Sequence, residues 1–92
     1  MTIIKNEKIN EHLKGLEGWE LRDKEIHKNF KRKDFIDSIG FVSRIALLAE
    51  RADHHPDILV QYNKVDITLS THSEGGVTEK DIKLAGEIEE VK

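Results

Sequence analysis

The 92 residues predict an α+β domain, a four-stranded antiparallel sheet with three helices on one face in the order α-β-β-α-β-β-α. Two stretches alternate apolar and polar residues around short polar turns, the pattern of half-buried antiparallel hairpins. Three others repeat apolar residues every three or four positions, as amphipathic helices do. Hairpins can join into one sheet whose apolar face needs cover, and helices before, between and after them supply it. No linker, repeat or low-complexity stretch divides the chain, so residues 1–92 read as a single domain.

The first helix lies within residues 3–16, where Ile9, Leu13 and Leu16 follow Asn6 at helical spacing and Gly15 and Gly18 close the segment. Trp19 and Leu21 then alternate with Glu20 and Arg22, and Ile26, Lys28, Phe30 and Arg32 continue the period beyond Asp23-Lys24. This is the first hairpin, with a turn that lacks glycine. From Asp34 the period becomes helical: Phe35, Ile39, Val42, Ala46 and Ala49 make a stripe broadened by Ile36, Ile45 and Leu48. Asp34 suits the N-cap, Asp37 suits the positive end of the helix, and the helix is expected to stop near Ala52. Gly40 costs about 1 kcal/mol relative to alanine inside a helix, which suggests a close packing contact there.

The second hairpin covers Ile58–Tyr62 and Val65–His72 around Asn63-Lys64. Val65, Ile67, Leu69 and Thr71 fall on one face and Asp66, Thr68, Ser70 and His72 on the other, so His72 is expected to end a strand on its polar side. Tyr62 is expected to pack against the sheet. After Ser73-Glu74-Gly75-Gly76, Thr78 can cap a last helix, with Asp81 at the third helical position of a capping box and Val77 stapled to Ile82. Ile82, Ala85, Ile88 and Val91 carry that helix.

Composition narrows the function classes. No cysteine is present, which removes thiol nucleophiles, disulfides and thiolate metal sites. No apolar run nears the roughly 20 residues of a membrane span, and the N-terminus lacks a secretory core, so no membrane association and a cytoplasmic location are expected. A net charge of -3 gives no general attraction to nucleic acid. The basic run Lys28–Lys33 reads as the solvated face of a strand and its turn.

The residues most suited to chemistry are histidines. Three of the five, His54, His55 and His72, fall in a short stretch that also holds the only proline, Pro56. Their ordinary pKa, about 6.5, permits proton exchange near neutrality. Adjacent histidines cannot share one face of regular structure, and Pro56 favours an extended His55 where the long helix stops. Glu50 precedes His54 by four residues and could reach it from a continuing helix. Turn residues and surface caps are one reading of these histidines. A metal site is another, although the chain has no HExxH pair. General acid-base catalysis is the third, and needs only positioned imidazoles and polar groups to hold a substrate. His12 and His27 lack such neighbours and read as surface residues.

The run Glu50-Arg51-Ala52-Asp53-His54-His55-Pro56, followed by Tyr62 after five residues, His72 after nine more and Asp81 after eight more, resembles the signature of the pterin-4a-carbinolamine dehydratases. Tyr62-Asn63-Lys64-Val65, Leu69-Ser70-Thr71-His72, Gly76-Val77-Thr78 and Ala85 are similar to that family, as are Gly18-Trp19 and Phe35. The resemblance implies a hydro-lyase that converts 4a-hydroxytetrahydrobiopterin to quinonoid dihydropterin and water in tetrahydrobiopterin recycling, with no metal and no organic cofactor. It implies His54, His55 and His72 as catalytic residues, and Glu50, Asp53, Ser70, Thr71 and Asp81 as substrate-binding residues, although capping alone also explains Asp81. It implies a homodimer or homotetramer and a functional link to an aromatic amino acid hydroxylase. The alternative it raises is a protein-interaction module or transcriptional dimerisation cofactor on the same fold. Ile58 and Val77 stand where the family commonly has an aromatic residue and leucine, apolar exchanges that bear on packing or substrate fit.

Overall fold

The second strands of the two hairpins pair with each other, and this makes one sheet of the two. In the computed structural model, which describes residues 2–92, β1 (Glu20–Arg22) and β2 (Glu25–Lys31) form the first hairpin, and β3 (Asp57–Gln61) and β4 (Lys64–Leu69) the second. The sheet order is β1-β2-β4-β3, antiparallel throughout. The central register sets Ile26 opposite Leu69 and Phe30 opposite Val65. Side chains of alternate residues therefore stack in rows, and the row holding Ile26, Val65, Ile67 and Leu69 is fully buried.

Helices α1 (Asn6–Leu13), α2 (Phe35–Ala52) and α3 (Glu79–Val91) contribute Ile9, Phe41, Ile45, Leu84, Ala85 and Ile88 to the same core. Each fully buried side chain of this size is worth about 2 kcal/mol. Trp19, Phe30 and Phe41 run edge to face through the core, with centroids 6.0 and 4.9 Å apart. The opposite face of the sheet bears Asp66, Thr68, Ser70 and the exposed Leu59. The element order and antiparallel sheet match the expectation from the hydrophobic periods.

Asp34 caps α2 by accepting the Asp37 backbone N–H at 2.8 Å. The backbone N–H of Lys33 and the guanidinium of Arg32 in turn hold the Asp37 carboxyl below its ordinary pKa. At α3, Thr78 and Asp81 form the anticipated capping box, and Val77 is buried beside it.

Several local expectations fail for identifiable reasons. Lys28 shares the strand parity of Ile26 and Phe30, so its stem lies on the buried face. Its Nζ sits 2.8 Å from Glu89 and 4.5 Å from the centre of the Phe30 ring. Arg32 likewise covers Phe41 at 4.4 Å, with Nε 3.2 Å from Asp37, close enough to pair as charges without the angle of a hydrogen bond. The basic run is thus solvated only at Lys31 and Lys33, whereas Lys28 and Arg32 are covered. His27 is mostly covered too, its Nε2 being 3.1 Å from Asp66, the carboxylate on the neighbouring strand that also accepts from Asn29. A methyl group at Gly40 would meet only the Arg44 side chain, at an ordinary 3.6 Å, so no close contact explains this glycine. Tyr62 occupies the β3–β4 turn at φ 53° and is exposed. The turn aims its ring away from the core, and its carbonyl accepts from the Ser38 hydroxyl at 2.7 Å.

Candidate active site

The end of α2 separates the adjacent histidines. The helix stops at Ala52, and Asp53 adopts the left-handed conformation at φ 49° and ψ 44°. Its N–H returns to the carbonyls of Ala49 and Glu50, and the His54 N–H bonds Ala49 O at 3.1 Å, a Schellman-type closure. Aspartate is among the few residues other than glycine that visit this region readily. The reversal turns His54 inward, leaving its side chain 10% exposed, whereas His55 is exposed beside Pro56.

Each imidazole has its own carboxylate. His54 Nε2 lies 2.5 Å from Asp81 Oδ1, and His55 Nε2 pairs with Glu50. Glu50 therefore serves His55 and not His54. The spacing of four applies to a continuous helix, and the left-handed residue at position 53 breaks it.

Asp81 is completely buried at the start of α3. A carboxylate removed from water needs partners, because an isolated charge there would cost several kcal/mol. Its Oδ2 accepts the Thr71 hydroxyl at 2.8 Å and the Thr78 N–H at 2.9 Å. The two threonine hydroxyls are themselves 2.7 Å apart. The side chains of Asp81 and Thr71 are thus occupied within the protein, in contact with His54 or one bond removed from it.

His72 does not end a strand. β4 stops at Leu69, Thr71 makes an isolated bridge to Gly76, and His72–Glu74 form a single 3-10 turn. Gly75, at φ 77°, closes that turn with its N–H directed at the carbonyls of Thr71 and His72. His72 is consequently exposed, and with Ser70 it lines a cleft of about 250 Å³ walled by Asp23, Lys24 and Glu25.

Of these wall residues, Asp23 and Lys24 make the turn of the first hairpin and Glu25 begins β2, and none carried a functional signal in the local pattern. They reach the site because β2 pairs with β4: with Ile26 opposite Leu69, Glu25 falls at the level of Ser70. On the other side, the register that sets Asp57 opposite Thr68 carries His55 toward that same level. Thr71 connects the two parts of the site, its side chain bonded to Asp81 and its chain neighbours Ser70 and His72 lining the cleft. Asp53, at the end of α2, is exposed.

A larger hollow of about 470 Å³ between α2 and α3 contains no histidine, and its Arg51 is paired with Glu87 at 2.9 Å. His54, His55 and His72 all lie outside this hollow, the first two paired with carboxylates. Among the described residues, no three His, Asp or Glu side chains are gathered as metal ligands would be.

The sequence profile described as pterin 4 alpha carbinolamine dehydratase matches residues 2–91. The chain belongs to this family. A protein of Sulfolobus acidocaldarius, provisionally named a pterin-4-alpha-carbinolamine dehydratase, is 47% identical over 92 residues, all of both chains. A protein of the same provisional name from Brucella ovis is 52% identical over 79 residues, 84% of this chain and 81% of its own. The crystal structure of a transcriptional coactivator/pterin dehydratase from Brucella melitensis superposes with a TM-score of 0.94 at 44% identity, covering 98% of each chain. A pterin dehydratase-like RuBisCO assembly factor of the alpha-carboxysome shares the fold alone, with a TM-score of 0.66 at 20% identity over 79% of this chain and 84% of its own. In this member of the pterin carbinolamine dehydratase family, one imidazole of the three is covered and two are exposed.

Proposed function

We propose that the protein dehydrates 4a-hydroxytetrahydrobiopterin to quinonoid dihydropterin and water, as a hydro-lyase in tetrahydrobiopterin recycling. The observation that carries this reading is the His54–Asp81 pair, seated one chain turn from the exposed His55 and joined through Thr71 to the cleft of His72. Departure of the C4a hydroxyl is driven by the N5 lone pair. One group must protonate the departing oxygen while another accepts the N5 proton, and the two transfers release one water without change of oxidation state.

His54, His55 and His72 are the candidates for these transfers, each worth about 10² to 10⁴ in rate when well positioned. His54 and His72 act at the hydroxyl, and His55 binds the pterin and assists proton transfer. Glu50 and Asp53, both exposed, suit the amino and ring N–H groups of the pterin as acceptors, and Ser70 supplies a hydroxyl in the cleft. The burial of Asp81 and Thr71 supports a role in orienting His54 in place of direct substrate contact. The test follows quinonoid dihydropterin formation from synthetic carbinolamine. The wild-type protein should accelerate it, and His55→Ala and His72→Ala should lose most of the acceleration while remaining folded. Turnover at the spontaneous rate with wild-type protein rejects the reading.

A second reading rests on α2, where Ile36 is 82% and Leu47 73% exposed and Ile39 lies one turn from Ile36. An apolar stripe of this kind suits protein contact, through association into a homodimer or homotetramer or as an interaction module. Sedimentation of Ile36→Glu and Leu47→Glu variants tests it, since a mass unchanged from wild type would remove the stripe from any self-association. Cytoplasmic action beside an aromatic amino acid hydroxylase belongs to the same proposal, because such an enzyme would supply the carbinolamine.

A further inference from the structure

We propose that Thr71 and Thr78 are positioning residues whose hydroxyls hold the Asp81 carboxylate against His54 Nε2 and so keep the proton of this histidine there, so that all proton exchange between it and a substrate passes through Nδ1. The hydrogen directions in the buried cluster admit one consistent order. The Lys80 N–H donates to Thr78 Oγ1 at 3.3 Å. The Thr78 hydroxyl then donates to Thr71 Oγ1 at 2.7 Å, and the Thr71 hydroxyl to Asp81 Oδ2 at 2.8 Å. The reverse order would aim an oxygen lone pair of Thr71 at the carboxylate. Asp81 Oδ2 also receives the Thr78 N–H, so both of its donors come from the protein frame. A carboxylate only accepts, and the hydrogen in the 2.5 Å contact with Oδ1 therefore belongs to His54 Nε2.

The other ring nitrogen is left for chemistry. His54 Nδ1 has no hydrogen-bond partner among the described residues, yet it is not among the buried unpartnered atoms. The residual exposure of this side chain consequently includes Nδ1. In the neutral ring Nδ1 accepts a proton, and in the imidazolium it gives one up. Nε2 stays bonded to Asp81 in both states. The hydroxyls thus act through Asp81, as outer partners of a working histidine commonly do.

The catalytic consequence rests on the dehydratase reading, but the tautomer does not. In protein labelled with ¹⁵N-histidine, long-range proton–nitrogen spectra should show His54 with a protonated Nε2 and a bare Nδ1 on the basic side of its titration. Thr71→Val, which releases one donor from Asp81 Oδ2 and lets the carboxylate turn away from His54 Nε2, should give a mixed tautomer and lower kcat about tenfold or more, with KM little changed. Thr71→Ser, which keeps the hydroxyl, should restore both. A wild-type His54 protonated on Nδ1, or averaging between the two nitrogens, overturns the proposal. So does a folded Thr71→Val variant with unaltered tautomer and kcat. If wild-type protein keeps the Nε2 proton but does not accelerate dehydration, the lock stands and the dehydratase reading falls.

Discussion

Helix α3 carries a carboxylate hub near each end, and the two hubs solve opposite electrostatic problems. Asp81 sits in the first turn, where the helix dipole already favours negative charge. Its partners, apart from a histidine, are neutral hydroxyl and amide groups. Glu89 sits near the other end, where the dipole opposes it. Its partners include two permanent cations, Lys28 Nζ at 2.8 Å and Lys92 Nζ at 2.9 Å, with the Trp19 indole N–H at 3.1 Å. Burial alone would raise the Glu89 pKa, but these three donors outweigh it and hold the carboxyl below its ordinary 4.5. On the proposed function, the difference separates an anchor from a working site. A carboxylate saturated by lysines cannot share charge with a titrating group, whereas Asp81 leaves its cationic position to a histidine that can gain and lose a proton.

The largest expected effect would break this distinction if it failed. Asp81→Asn offers the His54 ring an amide in place of a carboxylate and should lower kcat by about 10² to 10⁴, whereas Glu89→Gln should leave kcat within a small factor of wild type. Equal losses in the two variants would show that both hubs are structural. Stability should report the reverse emphasis at Glu89. Glu89→Gln leaves the largely covered Lys28 without its anion and should cost about 2 kcal/mol, read as a lower urea midpoint at pH 7.

Acid titration sharpens the same contrast. A carboxyl whose folded pKa lies below its unfolded one contributes stability that is fully present above the unfolded value and lost as pH falls through the folded one. Glu89 is such a group, so the urea midpoint of wild type should drop more between about pH 5 and pH 3 than that of Glu89→Gln. Parallel curves would assign the acid sensitivity elsewhere. The smallest effect lies between the hubs, at Gly86, where an added methyl group meets nothing within 4 Å. Gly86→Ala should raise stability by about 1 kcal/mol through helix propensity and leave both kcat and the acid profile unchanged.

Both hubs test what can be read from a linear pattern. The capping box that holds Asp81 was legible, since Thr78 and Asp81 are three residues apart and a helix start gives that spacing one meaning. Its histidine partner was not, because His54 lies 27 residues away and meets Asp81 only after α2 and α3 have docked. Likewise the alternation of β2 already set Lys28 on the face of Ile26 and Phe30, but its partner Glu89 comes from α3, whose approach no local period records. Asp53 shows a different failure, one of backbone and not of distance. Its left-handed turn redirected Glu50 from His54 to His55, and aspartate enters that conformation without announcing it in composition. The β2–β4 pairing that brings Glu25 to Ser70 was the least legible feature, because hairpin strands advertise their sequential neighbours and not the strand on their other edge.

The left-handed residue at position 53 also makes the His54-His55 dipeptide an ordered pair and not a duplicated one. One imidazole is interior and the other peripheral by virtue of a single backbone reversal, so neither is a spare for the other. Inserting one residue between Asp53 and His54 would shift the inventory along the chain by one place, leaving every side chain present but delivering the wrong one to Asp81. The motif is sensitive to the reading frame of the loop as well as to its composition.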